Sequence, residues 1–119
     1  MIVIIMNEDF HSRIIRDLRR IGITEEFELE LRDFSKTYYG RYSPTKNRIT
    51  LYIYLDPLCK VLVDYKSLFL TAIHEAIHCI QWNDKSFVRK KGVMHDEEFF
   101  RLYNLYRKKA EDMILGGSS

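Results

Sequence analysis

The sequence predicts an α+β domain in which a three-stranded antiparallel meander packs on a helix bearing an H-E-x-x-H motif, with further helices at the N- and C-terminal ends. Three observations carry this expectation. Apolar residues recur with a period of two at Phe27, Leu29 and Leu31 and again at Ile49, Leu51, Ile53 and Leu55. They recur with a helical period at Phe69, Ile73, Ala76, Ile77 and Ile80. They do so twice more, at Phe10, Ile14, Ile15, Leu18 and Ile21, and at Phe99, Leu102, Tyr103, Tyr106, Ala110 and Met113. A period of two marks a half-buried strand and a period near 3.6 an amphipathic helix.

Each element follows in order. Residues 1–6 are apolar, too short and without a basic lead for a signal peptide, and are expected to form a short buried strand. Asn7, Glu8 and Asp9 then supply caps and first-turn acids for the first helix, which Gly22 ends. Arg13, Arg16, Arg19 and Arg20 read as a solvated face balanced by Glu8, Asp9 and Asp17, with a basic strip for a polyanion as the alternative. His11 is expected to be exposed and idle. The first strand alternates Phe27, Leu29 and Leu31 with Glu26, Glu28, Glu30 and Arg32. A second strand is expected near residues 37–42, and Ser43-Pro44-Thr45-Lys46-Asn47 makes the turn into the third. Tyr38, Tyr39, Tyr42, Tyr52 and Tyr54 read as sheet packing. Residues 58–66 fit a short helix or a loop. Asp64 or Ser67 caps the central helix, which runs to about Trp82, and Asp96 caps the last one. Residues 1–115 are expected to form one domain, and residues 116–119 (Gly-Gly-Ser-Ser) a tail or cloning scar.

Composition limits what this domain can be. With 46% hydrophobic and 30% charged residues the chain is expected to be globular rather than disordered, and 119 residues suit one core. A net charge of +2 is too mild to argue for nucleic acid or membrane binding. No apolar run has the length of a membrane helix. Without an export signal the protein is expected to be cytoplasmic, and it is expected to act as a monomer on a protein or peptide. Cys59 and Cys79 form no C-x-x-C pair, so the chemistry is not that of a cysteine zinc site. The basic stretch Lys85 to Lys91, with Arg89, Lys90 and Lys91 at its core, reads as a solvated loop, with nucleic acid contact as the sharper alternative.

The chemistry lies in His74-Glu75-Ala76-Ile77-His78. Two histidines four residues apart on a helix stand about 40° apart and about 6 Å along its axis, so both rings can reach one metal ion. The glutamate between them is placed to take a proton from a water on that ion. A catalytic zinc takes three protein ligands and keeps a position open. Of the four histidines, His95 is the natural third, seventeen residues after His78. Asp96, Glu97 or Glu98 beside it could serve instead.

The segment from residue 37 to 106 resembles the SprT-like family of zinc metallopeptidases, which includes the Spartan proteases. Gly40-Arg41 followed by Ile49-Thr50-Leu51 is similar to that family's glycine-bearing hairpin. His74-Glu75-Ala76-Ile77-His78 follows, and then Gly92-Val93-Met94-His95-Asp96-Glu97-Glu98-Phe99, which resembles its G-x-x-H-G-x-x-F segment with aspartate in place of the second glycine. The resemblance implies a minimal zincin-like fold, Zn2+ on His74, His78 and His95, and Glu75 as general base. It implies the catalytic core only, since the cysteine-rich zinc ribbon of many members is missing. Tyr39, Arg41 and Tyr103 are candidates to hold the oxyanion. The alternatives are a zinc-stabilised binding module without proteolysis and a nucleic-acid-binding protein.

Overall fold

A helix opens the chain where a strand was expected. The computed structural model describes residues 2–84 and 95–115, with the backbone alone for residues 2–9. Helix α1 runs from Ile2–Arg20 without a break, so the apolar residues 2–6 form its first turns and pair with no strand. A short apolar run carries no period of its own, and once a helix is nucleated each added residue gains a hydrogen bond at little cost. Asn7, Glu8 and Asp9 therefore lie inside the helix instead of capping it. Its C-terminal end is a Schellman turn: Gly22 takes φ 98°, its N–H donates to the Arg19 carbonyl, and the Ile23 N–H donates to the Leu18 carbonyl.

Strands β1 (Glu28–Arg32), β2 (Gly40–Ser43) and β3 (Arg48–Tyr52) form one sheet, in the order β1-β3-β2. This corrects the expected antiparallel meander. β3 pairs antiparallel with β2 but parallel with β1, Leu29 lying beside Ile49 and Leu31 beside Leu51. The strand sequences explain the order. Ile49, Leu51 and Ile53 are all but fully buried, as a central strand requires, whereas Gly-Arg-Tyr-Ser in β2 suits an edge. Residues 33–47 supply the long connection that a parallel pair needs. Asn47, in the left-handed region at φ 48°, fixes the junction: its amide donates to the Glu26 carbonyl and accepts from the Tyr42 hydroxyl, and its carbonyl accepts from Glu28 N–H.

Beyond β3 the chain doubles back in a tight ribbon. Leu55 N–H donates to the Val61 carbonyl, Val63 N–H to the Ile53 carbonyl, and the Asp56 carboxylate accepts from the N–H groups of Lys60 and Val61. Residues 58–64 are thus a turn and a return segment. Helix α2 (Tyr65–Asn83) follows, capped by Asp64, whose carboxylate accepts from Ser67 N–H. Its apolar stripe of Leu68, Phe69, Ala72, Ile73, Ala76 and Ile77 forms the centre of the core against Ile49, Leu51 and Ile53. Helix α3 (Glu97–Ala110) is capped by Asp96 and packs on α2. Past Ala110 the backbone widens into a π turn, Glu111–Leu115, which shifts the helical phase and leaves Met113 half exposed rather than in the core.

α1 is held to the rest by polar contacts that the sequence reading took for solvated surface. Asp17 is buried, accepts from the Tyr65 hydroxyl at 2.7 Å, and is ringed by Arg13, Arg16 and Arg20 at 3.5–3.9 Å. Arg19 donates to the carbonyls of Ile23 and Glu25. His11, expected to be idle, donates from Nε2 to the Leu29 carbonyl of β1 at 2.8 Å. Tyr42, Tyr52 and Tyr54 pack half-buried as expected, while Tyr39 stands 74% exposed. The basic residues 85–91 and the tail 116–119 lie outside the described residues.

Candidate metal centre

The structure brings His74, His78 and His95 together. His95 Nε2 lies 3.2 Å from His74 Nε2 and 3.2 Å from His78 Nε2. Each residue turns one nitrogen to a common point, and the three nitrogens lie within 4.8 Å of one another. α2 supplies the first two, one turn apart on one face. The start of α3 supplies the third, immediately before the Asp96 cap. The acids beside His95 are engaged elsewhere: Asp96 caps α3 and Glu98 pairs with Arg101. Glu97 is exposed in the first turn of α3.

This donor set fits zinc. Two nitrogens on a tetrahedral zinc, each about 2.0–2.1 Å from the ion, lie about 3.3 Å apart. The two separations of 3.2 Å match that value. Imidazole must be neutral to donate a lone pair. Burial, with a smaller contribution from His95, holds His74 below the ordinary histidine range and so favours the ligating form.

Phe99 lies under all three rings, with centroids 4.8 Å from His74, 4.8 Å from His78 and 4.7 Å from His95. It is 1% exposed and stacks in turn on Tyr103. The imidazoles therefore rest on an apolar floor, which fixes their planes and keeps water from that side.

Glu75 sits between the two helical histidines, 7% exposed, with Oε2 3.9 Å from His74 Nε2. Burial pushes its carboxyl up to about 7, opposed by a hydrogen bond from the Tyr42 backbone N–H and by the charge of Arg41. That bond shows how β2 lies along the site. Tyr52 N–H donates to the Tyr39 carbonyl, so Tyr39 and every second residue after it turn their backbone groups toward β3. Gly40 and Tyr42 turn theirs outward, to the α2 side. Gly40 makes the approach possible, since a Cβ there would meet the Thr71 methyl at 2.7 Å and the Thr50 carbonyl at 3.2 Å.

Of the oxyanion candidates, Tyr103 has its ring 6.1 Å from that of His74. Arg41 lies over Tyr38, and Tyr39 stands out in solvent. Sequence reasoning missed Gln81. This residue is 6% exposed and donates from Nε2 to the Asp96 carboxylate at 3.3 Å, the same oxygen that caps Phe99 N–H at 2.8 Å. It ties α2 to the residue that follows His95. The signal was present, because residue 81 falls four after Ile77 and eight after Ile73, at an apolar position of the stripe.

No family model matches this chain, and no curated protein matches it in sequence. Among solved structures it is similar to the crystal structure of the metallopeptidase zymogen of Pyrococcus abyssi abylysin, with a TM-score of 0.53 and 19% identity over 92% of this chain and 94% of that chain. The likeness is one of fold. The described residues contain no helix long and apolar enough to cross a membrane.

Proposed function

We propose that this protein is a zinc-dependent peptidase of the H-E-x-x-H class, similar to the catalytic core of the SprT-like family, with His74, His78 and His95 as metal ligands and Glu75 as general base. The convergence of three imidazole nitrogens within 4.8 Å of one another, with that of His95 3.2 Å from each of the other two, beside a buried carboxylate carries the reading. When bound, zinc supplies the positive charge that acidifies a water and polarises a carbonyl. The chain's own residues supply the rest. Glu75 accepts the proton of the attacking water and returns it to the departing amine, and its buried position keeps that proton from bulk solvent. An edge strand of the sheet can align an extended peptide by strand addition, and β2 is the edge strand that lies beside Glu75. Tyr103, whose ring lies 6.1 Å from that of His74, and Arg41, whose charge acts on Glu75, are the candidates to donate to the developing oxyanion.

The test is Glu75→Gln, assayed for zinc content and for hydrolysis of a mixed set of quenched fluorescent peptides. Zinc should stay at one per chain while turnover falls by about 10²–10⁴-fold, the usual worth of a positioned acid–base. Turnover retained in this variant would remove Glu75 from the mechanism. A wild-type protein that binds zinc yet cuts nothing would make the domain a zinc-stabilised binding module.

A further inference from the structure

Tyr42 meets helix α2 at two places one turn apart. Its backbone N–H is hydrogen-bonded to Glu75. Its hydroxyl donates to Asn47 Oδ1 at 2.7 Å, and the same oxygen accepts from the Cys79 thiol at 3.5 Å. Glu75 and Cys79 are four residues apart on α2, so they lie on one face, one above the other. The tyrosine thus lies along that face with its main chain at the general base and its side chain a turn further on.

Both ends of this arrangement are fixed by other parts of the fold. Asn47 holds a left-handed backbone at φ 48°, its amide donates to the Glu26 carbonyl at 2.7 Å, and its carbonyl accepts from Glu28 N–H at 2.9 Å. Cys79 is fully buried, and its sulfur accepts from the Asn83 amide at 3.4 Å. The hydroxyl of Tyr42 is therefore tied both to the start of β1 and to α2. Its main chain is placed by the sheet. Tyr42 stands opposite Ile49, and the alternation set by the bond from Tyr52 N–H to the Tyr39 carbonyl turns the Tyr42 N–H away from β3. β2 is an edge strand of four residues, so its ladder alone holds it weakly, and the side chain of Tyr42 adds a second hold. A glutamate carboxylate has two accepting oxygens at the end of a rotatable side chain. A donor on a braced main chain fixes its plane.

We infer that Tyr42 is a positioning residue for the reaction: with its hydroxyl held by Asn47 and Cys79, its backbone N–H keeps the Glu75 carboxylate turned toward the three imidazoles. The inference rests on the peptidase reading above and adds a residue to it.

The experiment is Tyr42→Phe, which keeps the ring and removes only the hydroxyl, with steady-state kinetics on a quenched fluorescent peptide that the zinc-loaded wild type cleaves. kcat should fall about fivefold to tenfold, the usual net worth of one neutral hydrogen bond. KM should stay within twofold and zinc at one per chain, the pattern of an interaction realised in the transition state. Asn47→Gly, which suits the left-handed backbone and removes the acceptor, should do the same. The double variant should lose no more than the weaker single one, since both changes break one bond. A corner that merely braces the fold would instead lower Tm and zinc content and leave kcat per zinc-loaded chain unchanged. That result in Tyr42→Phe would overturn the positioning role while leaving the peptidase intact, as would a raised KM at constant kcat or losses that multiply in the double variant. Tyr42→Phe alone decides the matter if Asn47→Gly does not fold. A wild type that cleaves no peptide would overturn the peptidase reading itself, and the inference with it.

Discussion

At the scale of single residues, Gln81 shows how the third imidazole of the candidate site is aimed. His95 stands ahead of the Asp96 cap, outside the turns of α3. Its neighbour Asp96 is held both by the Phe99 N–H and by the Gln81 amide, which reaches across from α2. Groups that orient a metal ligand are worth about 10–100-fold in affinity. Gln81→Leu keeps the volume and joins the apolar stripe, so the metal-free protein should melt within a few degrees of the wild type. Its zinc affinity, read by chelator competition, should fall about tenfold, and unchanged affinity would reduce Gln81 to a packing residue. At this scale the sequence was legible wherever the chemistry is local. His74, Glu75 and His78 depend on one helical turn, which their spacing already defines. His95 was named among neighbouring acids, and the geometry brings it, rather than Asp96, Glu97 or Glu98, to the other two imidazoles. Gln81, His11 and Asp17 were not legible, because each acts through a partner more than a dozen residues away.

Among elements, the contact of β2 with α2 is the one most exposed to small changes. Nothing larger than glycine fits at residue 40 without moving the short, branched Thr71 side chain or the backbone of β3. Gly40→Ala should therefore destabilise the protein by about 1–3 kcal/mol, the usual cost of overpacking, measured by urea denaturation. It should also lower turnover by more than it lowers zinc content, because it lifts the Tyr42 N–H from Glu75. An alanine variant as stable and active as the wild type would show that β2 has slack. The elements themselves were largely readable. The spans of α2 and α3 and both caps follow from pattern and Asp placement. Strand order was not readable, since a period of two states which face is buried and not which neighbour is paired. The apolar residues 2–6 misled for the related reason that a run of five has no measurable period.

For the molecule as a whole, the candidate metal centre spans two helices, α2 and the start of α3. α3 makes its main contact with α2, and the Gln81–Asp96 bond and the three imidazoles lie along that seam. Zinc should act there as a cross-link. A site held at about a thousand times its Kd adds about 4 kcal/mol, or about 15 °C in Tm for a chain of this length. Removing zinc with a chelator should lower Tm by about that amount, and restoring zinc should recover it. His95→Ala should melt near the chelated wild type and respond little to added zinc. A melting temperature indifferent to chelation would mean that the seam is held by packing alone.

The sheet has two borders, and they are treated differently. Along β1, His11 of α1 occupies the Leu29 carbonyl, so that border is partly sealed. Along β2, Tyr42 N–H is taken up by Glu75 and Gly40 packs on Thr71, so that border is open only in part. A border left open to receive one extended chain does not ask whose chain it is. At high concentration a second copy competes with substrate for the same edge, so turnover per molecule should fall with crowding and recover on dilution.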